Sequence, residues 1–266
     1  MPQIDYLLLE DDFQKLEKMK VKILSDCGEC DNSGHVIVNS QDKKSGWVKT
    51  TECSCLKLFR RYKEYYKARI PEVYWKVTEK NFYGDKIALR RTAKFMDYLK
   101  NAKDNGLGLM FRGPNGNGKT SLACIIAKYA LKKGHSALYG TLQGYLNMIM
   151  QSFGQEQKTV LVRKLISEVD FLIVDEIGKE HLKKNAETGS IFGLSEFEQI
   201  LREREGSKRS VIAITNLDYD KMQIQYGESI SSLFSGRLKE IAVQGSDVRK
   251  TVHEKSWDTI LKEGHI

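Results

Sequence analysis

The chain has 266 residues, 41% hydrophobic and 29% charged, a balance that fits a folded protein and excludes a disordered or fibrous one. Its length suits one large domain, or a main domain with a small appendage. A net charge of +8 inclines it towards a polyanionic partner. No apolar run approaches the ~20 residues of a membrane span, so no membrane partner is expected.

The start, MPQIDYLLLEDD, lacks a basic n-region and has only Leu7 to Leu9 as an apolar core, which does not make a secretory signal. A cytoplasmic location is expected, and in a reducing compartment five cysteines act as metal ligands or core residues rather than a disulfide framework. Residues 11–24 carry Phe13, Leu16, Met19, Ile23 and Leu24 at a period near 3.6, which predicts a helix with a packing face.

Cys27-Gly-Glu-Cys30 and Cys53-Ser-Cys55 bracket HVIVNS, a QDKKSG turn and WVKTTE, the pattern of a β-hairpin. Two thiol pairs at the open end of a hairpin make a four-cysteine tetrahedral site, which zinc favours, and four protein ligands leave no position for water, so the zinc would be structural. The CxC pair and the 22 residues between the pairs depart from the commonest ribbon spacing, which leaves His35 as an alternative to one thiolate. A segment this short and polar needs such a staple.

Residues 57–69, KLFRRYKEYYKAR, mix cations with Phe59, Tyr62, Tyr65 and Tyr66. That mixture suits single-stranded nucleic acid, and it equally suits a linker helix with a solvated basic face and an aromatic packing face. Pro71 marks a break, so the chain divides into residues 1–68 and 69–266. A helix is expected over 85–103 with Ile87, Leu89, Phe95, Met96 and Leu99 in the core.

Leu107 to Phe111 is an apolar run that suits a buried strand. It leads into Gly113-Pro114-Asn115-Gly116-Asn117-Gly118-Lys119-Thr120-Ser121, and a helical run follows. This is GxxxxGKT in its strand, loop and helix setting: glycines turn backbone N–H groups to phosphates, Lys119 reaches the β/γ-phosphates and the Thr120 hydroxyl takes Mg²⁺. The chain is therefore expected to bind a nucleoside triphosphate.

Within that helix Cys124 reads as a small core residue. An edge-ward strand is expected at 137–139, then a helix over 142–153 that breaks at Gly154 and resumes over 158–166. Phe171-Leu-Ile-Val-Asp175-Glu176 describes a buried parallel strand delivering two carboxylates to the ligand crevice. Asp175 would enter the Mg²⁺ shell and Glu176 would orient the attacking water. After a helix over 191–205, residues 211–216 form a strand; placed between the P-loop strand and the acidic strand, it would bring Asn216 to the γ-phosphate. A last strand is expected at 241–244, and the 29 residues after Arg237 are too few for a helical lid.

The set GPNGNGKTS, FLIVDEIG, AITNLD, SGRL and GSDVRK, preceded by ARIPEVYW and CGECDNSG…CSC, resembles the DnaC/DnaI-type replicative helicase loaders, the AAA+ ATPase branch that includes the IstB transposition ATPases. The resemblance implies a five-stranded parallel sheet with helices on both faces and no separate lid, preceded by a small zinc-binding hairpin and helix domain. It implies assembly into a ring or spiral and ATP-linked binding of single-stranded DNA while a hexameric helicase is loaded at replication initiation.

Carried over by motif, Lys119 and Thr120 match Walker A, Asp175 and Glu176 Walker B, Asn216 sensor 1 and Arg237 the arginine finger, acting on the ATP of a neighbouring subunit. Arg249 matches the arginine of the family's GxDxR ending, and Leu233 stands where relatives carry a second arginine. The cysteines resemble the helicase-contact domain of the DnaI side. Two other readings stay open: an IstB-like transposition ATPase, and a nucleotide-dependent adaptor that hydrolyses weakly. DNA is expected at residues 144–164 and at Lys179, His181, Lys183 and Lys184.

Overall fold

The computed structural model describes residues 10–38, 49–180 and 192–248, and they fall into two compact units divided between Ala68 and Arg69. In the smaller unit, α1 (Glu10–Ser25) and α2 (Ser54–Lys67) accompany a hairpin of β1 (His35–Val38) and β2 (Lys49–Glu52), antiparallel with His35 opposite Glu52. The QDKKSG turn lies outside the described residues. The expected apolar stripe of α1 is narrower than its sequence period suggests: Leu16 is buried, but Phe13 is 55% exposed. On α2 the basic and aromatic residues separate. Phe59 is buried and Tyr62, Tyr65 and Tyr66 half-buried, while Lys57, Arg60 and Arg61 stay in solvent.

The larger unit begins with α3 (Lys86–Asp97) and α4 (Leu99–Asp104). The single helix expected over 85–103 is broken at Tyr98 (φ −105°, ψ 21°). Ile87 is 55% exposed, not core, whereas Met96 and Leu99 are buried. Asp85 explains the register of the first turn, because its carboxylate accepts the N–H of Ile87 and Ala88 as an N-cap.

Five strands follow, β3 (Gly108–Arg112), β4 (Ala137–Thr141), β5 (Phe171–Ile177), β6 (Ser210–Thr215) and β7 (Leu238–Ala242). They form one sheet in the order β4-β5-β6-β3-β7, all neighbours parallel. Parallel pairing requires crossovers, supplied by α5 (Lys119–Lys132), α6 (Leu142–Ser152), α7 (Glu156–Glu168), α8 (Phe192–Gly206) and α9 (Tyr219–Arg237). The last strand starts three residues earlier than expected, since Leu238 pairs with Gly108 directly after α9.

The central strand β6 is buried from end to end, as a sheet flanked by helices requires, whereas β4 and β7 at the two edges are buried over only part of their length. Arg204 is fully buried at the foot of this sheet. Its guanidinium donates to the carbonyls of Ile166 (2.8 Å), Ser167 (3.1 Å), Val169 (2.8 Å) and Ser210 (2.6 Å), and so satisfies the open C-terminal end of α7. Among the described residues no helix is long and apolar enough to cross a membrane.

Candidate nucleotide site and cysteine cluster

The C-terminal ends of β3, β5 and β6 meet at one edge of the sheet, and the loop 113–118 leads from β3 into the N-terminus of α5. Gly113, Gly116 and Gly118 have φ of 152°, 78° and 94°, the left-handed region that glycine alone adopts freely. Gly118 has a second constraint: a Cβ there would lie 2.9 Å from the ring of Phe82. The Lys119 ammonium donates to the carbonyls of Gly113 (2.7 Å) and Pro114 (2.5 Å) and to Asn117 Oδ1 (3.2 Å).

Across the crevice, Asp175 Oδ2 accepts the Thr120 hydroxyl at 2.9 Å and the Tyr139 phenol at 2.7 Å. The N–H of Glu176 donates to Asp175 Oδ1 at 2.7 Å. Burial, and next the charge of Asp175, raise the Tyr139 phenol well above its ordinary range, so it remains a donor. The register of β5 against β6 shifts between Val174 and Ile177, and Glu176 sits there at φ 57° with its side chain exposed. An irregularity of this kind re-aims a side chain out of the sheet, here into the crevice, where Glu176 pairs with Lys179 at 3.0 Å. Because β6 lies between β3 and β5, Asn216 reaches the loop, and its amide donates to Asn115 Oδ1 at 2.6 Å.

These groups line a cavity of about 970 Å³ whose other wall is formed by Pro71, Val73, Tyr74, Val77, Phe82 and Tyr83. Sequence reasoning missed that wall; the aromatic density of residues 71–83, just before α3, was its available signal. It also missed the segment after β7. Asn117 donates to the Val243 carbonyl, and the Val248 N–H donates to Gly116 O at 2.9 Å, so residues 243–248 run along the loop.

Loop N–H groups at a helix N-terminus with an adjacent lysine fit a polyphosphate. A hydroxyl and a carboxylate oxygen 2.9 Å apart are the hard oxygen donors Mg²⁺ takes.

Arg237 stands apart. It ends α9 beside Gly106 and Leu238, where β3 and β7 begin, about 17 Å from the phosphate loop for five strand residues at ~3.4 Å. Its Nε lies 3.3 Å from Glu205 Oε1, and its Nη1 is buried with no hydrogen-bond partner among the described residues. Cys124 is buried with its thiol pushed up by desolvation. Arg249, His181, Lys183 and Lys184 lie outside the described residues.

In the smaller unit the thiols of Cys27, Cys30, Cys53 and Cys55 lie within 4.8 Å of one another, with Cys27–Cys53 at 3.5 Å and Cys30–Cys55 at 3.4 Å. Sulfurs at ~2.3 Å from a tetrahedral zinc are ~3.8 Å apart, so the cluster matches that metal. Cys53 is the N-cap of α2; the backbone N–H of Cys55 is the largest influence that lowers its thiol to about 7. His35 is exposed and faces the Ser33 carbonyl at 3.2 Å, outside the group of four.

Comparison with known proteins agrees with this arrangement. Residues 76–240 match the model of the IstB-like ATP binding protein family. The chain is 31% identical over 160 residues to the replicative helicase loader DnaC of Buchnera aphidicola subsp. Baizongia pistaciae, covering 59% of this chain and 62% of that protein. Among solved structures, the DnaC helicase loader superposes with a TM-score of 0.57 at 18% identity, over 65% of this chain and all of that one. The replication initiator DnaA bound to AMPPCP and single-stranded DNA superposes with a TM-score of 0.52 at 17% identity, over 70% of this chain and 59% of that one.

Proposed function

The chain belongs to the IstB-like ATP binding protein family, and from that membership we propose that it is a cytoplasmic ATPase that loads a replicative hexameric DNA helicase at replication initiation. The observation that supports the nucleotide half is the Thr120–Asp175 hydrogen bond of 2.9 Å, which joins the P-loop to the acidic strand at the mouth of the cavity. In this reading residues 113–121 cradle the phosphates of ATP, and Lys119 turns from its loop carbonyls to the β/γ-phosphates. Thr120 and Asp175 would hold Mg²⁺, which neutralises phosphate charge when bound. Glu176, set out from the sheet by its local backbone, accepts a hydrogen bond from the attacking water and takes up its proton. Asn216 places its amide beside the γ-phosphate, and Arg237 serves the ATP of a neighbouring subunit in a ring or spiral.

The helicase half rests on the similarity to DnaC and on the cysteine cluster, which would hold structural zinc and present residues 1–68 to the helicase. Single-stranded DNA would meet residues 144–164 and the loop of Lys179, His181, Lys183 and Lys184. Phosphate contacts release counterions, so oligo-dT affinity should fall steeply with salt, and Lys183→Glu with Lys184→Glu should weaken it.

The deciding experiment has two arms. Nucleotide binding to the full chain and to Lys119→Ala is measured with a fluorescent ATP analogue, and binding of the full chain to a purified replicative helicase is measured with and without ATP. Loss of nucleotide binding in Lys119→Ala and ATP-dependent helicase capture are expected. ATP binding without helicase capture would leave the transposition ATPase as the better reading.

A further inference from the structure

The wall formed by residues 70–77 has almost no regular secondary structure, only a single 3-10 turn over Glu72–Tyr74, yet its backbone carbonyls are nearly all engaged. The Trp75 indole donates to Ile70 O at 2.8 Å, local turns engage Pro71 O and Glu72 O, and Asn81 donates to Lys76 O at 2.9 Å. The remaining cluster is held from outside the wall. Lys128, on the third turn of α5 and only 6% exposed, donates from one ammonium to Tyr74 O (2.5 Å), to Trp75 O (3.3 Å) and to Val77 O. A buried cation is retained only where acceptors surround it, and here all three belong to the wall.

We propose that Lys128 is a positioning residue for the nucleotide: from inside the helix whose first turn binds the phosphates, it fixes the Pro71–Val77 wall that receives the base and ribose. Three features join in this. The wall and the phosphate loop line one cavity. The wall residues that line the cavity, Pro71, Val73, Tyr74 and Val77, are apolar or aromatic, and Val73 is left 76% exposed, a surface suited to a flat ring. The lysine and the Walker lysine Lys119 stand on the same rigid helix nine residues apart, so the spacing between phosphate and base subsites is set by one element. The proposal rests on the ATP-binding reading above.

The test compares ATP with inorganic tripolyphosphate, which carries the phosphates without a base, both with Mg²⁺. Lys128→Met should weaken ATP at least tenfold and leave tripolyphosphate within twofold, and Lys128→Arg, which keeps the donors, should recover most of the loss. Val73→Asp, a change at an exposed position that leaves Lys128 in place, should show the same selective loss if Lys128→Met does not fold. Equal weakening of both ligands would assign Lys128 to the stability of the whole domain, and unchanged ATP affinity in Val73→Asp would show that the base does not meet this wall; either result overturns the proposal. Wild-type protein that binds tripolyphosphate but not ATP overturns it too, whereas binding of neither removes the ATP-binding reading itself.

Discussion

Asp175 Oδ2 accepts two hydroxyl donors, from Thr120 and from Tyr139, and these have different consequences. When the Thr120 hydroxyl turns to a metal, the Tyr139 phenol is left to hold the carboxylate. A hydrogen bond to a charged group contributes about 1.5–3 kcal/mol, so Tyr139→Phe should raise the Mg²⁺ concentration needed for half-maximal nucleotide binding by about tenfold or more. Nucleotide binding in EDTA should be unchanged; a Mg²⁺ titration identical to wild type would remove Tyr139 from the site.

Lys128 gives a second test at this scale. Burial pulls its ammonium from 10.5 to about 8. A cation with a depressed folded-state pKa binds fewer protons folded than unfolded between those two values, so stability rises with pH across that window. Wild-type protein should therefore gain stability relative to Lys128→Met between about pH 8 and 10 in urea titrations.

Elements in this protein are closed by side chains that come from elsewhere in the chain. The carbonyls at the end of α7 are held by Arg204 of α8, which donates to those of Ile166 and Val169. Arg204→Leu leaves several buried carbonyls without donors at about 1–3 kcal/mol each, and a loss of at least 3 kcal/mol in urea denaturation is expected.

In the smaller unit the closing group is the cysteine cluster. Among the unit's described residues, apart from Cys30, Cys53 and Cys55, only Leu16, Phe59 and Ala68 are buried hydrophobics, a core of the size that needs a staple. Chelation or Cys27→Ser should therefore unfold α1, the hairpin and α2, while the melting transition of the larger unit stays in place. Protein purified without chelator should carry about one zinc per chain, and a metal content well below that would end the zinc reading.

At the scale of the whole molecule, the position of Arg237 sets its possible partners. It stands at the end of the sheet opposite the phosphate loop, so it does not reach its own nucleotide. A finger supplied in trans changes turnover by roughly 10³ to 10⁵ where such residues act, and a slow ATPase would show the lower end. Arg237→Ala should keep ATP binding and lose turnover, and mixing it with Lys119→Ala should restore some hydrolysis at interfaces that pair an intact loop with an intact arginine. Glu205→Gln separates the alternatives, because it removes the 3.3 Å ion pair and leaves the guanidinium. Normal turnover by Arg237→Ala together with no rescue in the mixture would make Arg237 a structural residue.

The phosphate loop, the acidic strand end and the cysteine spacing are legible in the sequence because each is a local requirement: glycine at left-handed backbone, carboxylates ending a buried strand, thiols paired within a few residues. The apolar runs with their polar ends predict the three strands, but their order, with β6 between β3 and β5, is a matter of tertiary pairing. What the sequence could not show depends on meetings between distant segments. Exposure of Phe13 and Ile87 depends on what each helix packs against, which periodicity does not contain. The Tyr139–Asp175 bond spans 36 residues, the Lys128–Tyr74 bond 54 and the Asn117–Val243 bond 126. Those pairings have no spacing rule, because the sheet decides which strand ends and loops become neighbours, and only then do a phenol, a buried lysine and a late segment of backbone acquire their parts in the site.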